Sequence, residues 1–148
     1  MKAILATCVL FLGCAISPEA AAQEDEAAAQ EEPLSPNAEA AIGAATSFAV
    51  GYGVWLWEKK CAKLPPEESA AFNAAVAGQM QRFSGMLDLQ FFKAILGTGQ
   101  DTSNDPTSMP PCEDPDALDF ARFGVDMVKG SAEKLATIPA GYHLSLTN

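Results

Sequence analysis

One histidine, His143, is all the imidazole that the 148-residue chain holds. Nucleophilic and general-base sites commonly pair an imidazole with a serine, a cysteine or a carboxylate, and here one such pairing at most is available. No G-x-S-x-G or other nucleophile elbow occurs. No catalytic residue is therefore nominated; His143 reads as a surface or packing residue and the chain as a non-enzyme. Basic residues are equally scarce. Nine Lys/Arg stand against nineteen Asp/Glu, for a net charge of −10. Such a chain has no electrostatic reason to bind nucleic acid or an anionic membrane surface. No internal repeat is present.

What the first residues do hold is an apolar run, AILATCVLFLGCAI, behind Met1-Lys2. Pro18 follows, and Ala20 and Ala22 occupy the small-residue positions of a cleavage site. Residues 1–22 are expected to be a secretory signal peptide, too short in its apolar part to span a bilayer. The run FLGC (11–14) resembles the lipobox of bacterial lipoproteins, which implies as the lesser alternative a lipid anchor on Cys14. Removal of the leader leaves one domain's length of chain. Losing Lys2 and Glu19 with it leaves the net charge at −10.

Four cysteines are present, and Cys8 and Cys14 depart with the leader. Cys61 and Cys112 remain in an exported, periplasmic or secreted protein, where disulfides persist. With two cysteines only one intramolecular bridge exists. It would tie the end of the first helix to the start of the last, contributing about 4 kcal/mol by loop-closure entropy.

Residues 23–36, QEDEAAAQEEPLSP, carry five acids and little to bury, the composition of a disordered tether. Residues 37–148 form the expected single helical domain. Its first helix starts near Ser35 or Asn37 and runs to about Leu64. Residues 40–57 are uncharged, at the length threshold of a membrane span. Their Ala, Gly, Ser and Thr content suits a helix packed inside a protein better, so no integral span is expected. Gly51 and Gly53 predict a bend. Pro65 and Pro66 separate this helix from a second. Phe72, Val76, Met80, Phe83, Leu87 and Phe91 repeat at helical spacing. They predict one helix to about residue 96, with a candidate kink at Ser84-Gly85 and a stop at Gly97 and Gly99. Residues 97–112 read as a long polar loop. Asp114 and Pro115 are expected to open the last helix, with a core face of Leu118, Ala121, Val125, Val128, Ala132 and Leu135. Tyr142, Leu144 and Leu146 alternate as a short extended tail. The fold class is all-α: a bundle of three long helices, or four to five where glycines break them.

Metal chemistry finds little support. Asp101, Ser103 and Asp105 have the opening spacing of a calcium loop, but Pro106 and Cys112 stand where the sixth-position Gly and twelfth-position Glu belong. Met80 and Met86 face different ways, so core packing accounts for them better than copper does. The run from Cys112 to Asp116 reads as a helix cap. Neither a metal nor a cofactor is expected.

The aromatic residues are more informative. Phe48, Tyr52 and Trp55 share one side of the first helix, and Trp57 points to another. The three form either part of the core or a face for a partner. In general plan, by size and cysteine count alone, the chain is similar to the periplasmic acid-stress chaperones, which implies apolar surfaces on the first two helices that become exposed under acid. The expectation is a protein that acts by binding an unknown protein partner, with a membrane-associated accessory protein as the alternative and an unrecognised enzyme behind it.

Overall fold

A computed structural model describes residues 34–144. The expected leader with Cys14, the tether up to residue 33, and Leu146 in the tail lie outside the described residues. Four helices follow in order: α1 (Pro36–Cys61), α2 (Pro66–Met86), α3 (Leu89–Asn104) and α4 (Ala117–Ala136).

Helix α1 opens where its chemistry predicts. Ser35 accepts a hydrogen bond from the Ala38 amide at 3.2 Å, and Pro36 occupies the first turn, where no amide is needed. It closes at Cys61 rather than Leu64. Ala62 turns left-handed (φ 49°), and the buried Glu58 carboxylate accepts from the amides of Lys63 (3.0 Å) and Leu64 (2.9 Å). Neither Gly51 nor Gly53 breaks the helix, because α1 is continuous through both. Those glycines serve close approach instead. A Cβ on Gly51 would lie 2.6 Å from Val128 Cγ2, and one on Gly53 would lie 3.0 Å from the Gly99 carbonyl oxygen.

Contacts between α1 and α3 advance in step along both helices, which therefore run parallel. Those between α1 and α4 run in opposite order, from Gly43 with Lys134 to Val54 with Gly124. Helices α3 and α4 flank α1 and do not pack on each other. Helix α2 stands further off, and its Phe72, Val76 and Phe83 fill the wider gap. Small residues thus bring two helices close to α1 while phenylalanines hold the third. Helix α1 is long and apolar enough to cross a membrane, but 61% of its most apolar window is buried inside the fold, the position of a core helix.

The single helix expected over residues 66–96 is in fact two. The break falls at Leu87-Asp88, not at Ser84-Gly85. Leu87 is extended and buried, and Asp88 caps α3 by accepting from the Phe91 amide at 2.8 Å. The tail supports this break, since the Leu144 amide donates to the Met86 carbonyl at 2.8 Å and Leu87 and Leu144 form a single parallel bridge. Nor do Gly97 and Gly99 stop a helix. Gly99 is buried against α1, with Ala49 O 2.9 Å and Tyr52 Cδ1 2.7 Å from where a Cβ would stand, and α3 continues to Asn104. The loop is correspondingly shorter, residues 105–116. Helix α4 begins at Ala117, later than expected, because Asp114 Oδ1 accepts from the Asp116 amide and holds a turn there. Its buried face is Ala117, Ala121, Gly124, Val128, Ser131 and Leu135. Of the expected face, Leu118 and Val125 are partly buried against the core and Ala132 is half-buried, while Ala117, Gly124 and Ser131 are buried; at Gly124 the approach of Val54 leaves no room for a side chain.

Candidate functional site

The structure brings Phe48, Tyr52 and Trp55 together as a ladder of rings. Centroids lie 5.9 Å apart for Phe48 and Tyr52 and 5.5 Å for Tyr52 and Trp55, and Phe83 of α2 meets Phe48 at 5.1 Å. Phe48 is fully buried and Tyr52 is 7% exposed, so these two are enclosed in the core. The physical reason is Gly99, whose missing side chain lets α3 settle directly on Tyr52. Trp55 alone keeps an open edge. Its indole N–H donates to Asn73 Oδ1 at 2.7 Å, and the Lys59 ammonium stands 5.2 Å from its ring centroid, within cation–π range.

Trp57 serves a different part of the fold. Its N–H donates to the Pro110 carbonyl at 2.8 Å, and its ring meets Phe120 edge-on at 5.1 Å. Cys61 and Cys112 are joined in a disulfide with Cα atoms 5.2 Å apart. Bridge and indole together fix the 105–116 connection to the end of α1. A cleft of about 290 Å³ opens there, edged by Trp57, Lys60, Met109 and Pro110. Asp101 and Ser103 lie within α3 rather than in a calcium loop. Asp105 spends its carboxylate on its own turn: the Thr107 amide, then the Ser108 and Thr107 hydroxyls, donate to it and hold it below the ordinary 3.8. No group of three or more metal-ligating side chains is found among the described residues. His143 is solvent-exposed beyond α4.

A different feature, not nominated from the sequence, has the makings of a site. Between α1 and α3 runs a groove of about 260 Å³ lined by Ile42, Ala45, Thr46, Ala49 and Val50 on one side and Phe91, Ala94, Ile95 and Thr98 on the other. No charged residue lines it. Its two hydroxyls are already used: Thr46 Oγ1 donates to the Ile42 carbonyl and Thr98 Oγ1 to the Ala94 carbonyl, each at 3.0 Å. Each threonine thus has its hydroxyl proton tied to its own helix and keeps only acceptor capacity toward the groove. The stripe Ile42–Thr46–Val50 is readable as i, i+4, i+8. Its opposite wall is hidden from sequence reasoning, because the periodicity of 72–91 runs across the α2/α3 break and the glycines at 97 and 99 signal a loop.

Comparison with family models, with curated proteins and with solved structures returned no match.

Proposed function

We propose that the protein is an exported, disulfide-stabilised binding protein that takes up an apolar group in the groove between α1 and α3. The observation that carries the reading is the groove's lining, in which even the two threonine hydroxyls are hydrogen-bonded to their own helices. An apolar occupant would displace water from such a surface without stranding a hydrogen-bond donor, a condition that favours apolar burial. The disulfide agrees with an oxidising compartment.

Titration with a fluorescent hydrophobic dye tests this reading. The folded protein should bind the dye in a saturable manner, and Thr46→Lys, a change at an exposed groove position, should weaken binding at least tenfold while thermal unfolding is unchanged. Equal dye binding by the variant would contradict it.

A further inference from the structure

We infer that the outer face of α4 is a docking surface for an amphipathic, basic helix of a partner protein. Its residues line no part of the groove between α1 and α3. Phe120, Phe123, Met127 and Gly130 follow one another at spacings of three, four and three. That is the repeat with which one helix meets another along its length. Phe120 is anchored edge-on against Trp57, and the Phe123 ring centroid stands 6.3 Å from that of Phe120. Phe123 is 46% exposed, Met127 is half-buried, and a Cβ on Gly130 would meet nothing within 4 Å. From Phe123 onward the seam is open.

The two flanks of the seam differ. On one side Ala117, Gly124 and Ser131, seven apart, are buried, and Gly124 lies against Val54 of α1. On the other side Asp119, Asp126 and Glu133, also seven apart, are all exposed. This acid row has no ion-pair partner among the described residues, where the single ion pair joins Arg122 to Glu68. Lys134 spends its ammonium on the Gly43 carbonyl and the Ser47 hydroxyl. Lys129 stands beyond the acids, on the side away from the seam. In a helix pair, the residues that flank the apolar seam face the partner, and their charge sets which partner fits.

The charge and spacing of the two rows select the occupant. A second copy of this chain brings the same acids and a net charge of −10, so two such faces would set carboxylate against carboxylate. An anionic membrane surface is repelled in the same way. An extended peptide presents side chains to one face about every 6.6 Å. The acids recur about every 10.5 Å along α4, so a strand falls out of register with them. A helix with apolar residues at three–four spacing and Lys or Arg seven apart matches both rows and satisfies its own backbone.

The probe is a synthetic helix of about 21 residues, three heptads, with Leu at the two seam positions of each heptad and Lys at the two flanking ones. Its counterpart carries Glu for Lys. Fluorescence anisotropy of each labelled peptide, titrated with the full processed protein, should show one saturable site for the Lys helix and none for the Glu helix. Phe123→Ser should weaken binding at least tenfold with thermal unfolding unchanged. Met127→Ser supplies an independent test if that variant does not fold. Charge reversal separates docking from general attraction to an acidic protein. Asp126→Lys with Glu133→Lys should abolish binding of the Lys helix and create binding of the Glu helix. Glu67→Lys with Asp101→Lys, exposed positions off this face, changes the net charge equally and should leave the Lys helix bound. No saturable binding, equal loss from both charge-reversed pairs, or binding unaffected by both seam substitutions overturns the inference.

Discussion

A methyl group on Gly124 would overlap Val54 Cγ1 and fall 3.2 Å from Phe72 Cζ, so α4, α1 and α2 meet at a point where no side chain fits. Gly124→Ala should therefore destabilise the protein by about 1–3 kcal/mol through overpacking. Gly78 is the internal contrast, since it lies inside α2 and a methyl group there would have nothing within 4 Å. Gly78→Ala should stabilise by about 0.5–1 kcal/mol by restoring helix propensity. Chemical denaturation of the two variants checks both signs at once.

Removal of the Cys61–Cys112 bridge frees a connection that spans all of α2 and α3. Paired Cys61→Ser and Cys112→Ser substitutions should cost about 4 kcal/mol in the loop-entropy treatment. Urea unfolding of the oxidised and doubly substituted proteins measures the difference. A loss below about 1 kcal/mol, well under the loop-entropy value, would mean that the Trp57–Pro110 hydrogen bond and the packing of Met109 hold the connection without the bridge.

Glu58 is 4% exposed, and its two oxygens satisfy the Lys63 and Leu64 amides at the end of α1. Glu58→Ala leaves both amides without that acceptor, and a loss of about 2–4 kcal/mol is expected. Glu58→Gln keeps one acceptor oxygen and should lose less. Thermal unfolding of the pair separates the hydrogen-bonding role from simple packing.

Asp105 and Glu68 make stability depend on acid. Hydrogen bonds from Thr107 and Ser108 depress Asp105 below the ordinary 3.8, and the hydrogen bond from Arg122 depresses Glu68 below 4.5. A depressed carboxylate contributes stability above its unfolded value and loses it as pH falls through the folded one. Asp105→Asn should thus lower the melting temperature near neutral pH, and its difference from the parent should close as pH drops below about 3.8. Glu68→Gln should behave alike with a smaller effect, since its ion pair with Arg122 is solvent-exposed.

Much of this fold is legible in local chemistry. Ser35 and Pro36 mark the start of α1, Pro65 and Pro66 mark the change to α2, and Cys61 and Cys112, the two cysteines beyond the expected leader, identify the bridge. The glycine signals share one complication. Gly97, Gly99, Gly51 and Gly53 carry local signals for stops and bends, yet Gly51, Gly53 and Gly99 are points where helices touch, and contact between distant segments outweighs their poor propensity. The α2/α3 break has a local signal in the Asp88 cap, and Leu144, far along the chain, pairs beside Leu87 there. The groove is legible only in part. Periodicity shows the face of one helix, but not that α1 and α3 lie parallel and adjacent.

Amide chemical shifts recorded while the hydrophobic dye is added test the central claim most directly, because they report where an apolar ligand sits. Perturbations should concentrate at residues 42–50 and 91–98, saturate together, and weaken in Thr46→Lys. Shifts centred instead on the cleft between Trp57 and Met109, or no saturable shift at all, would contradict it.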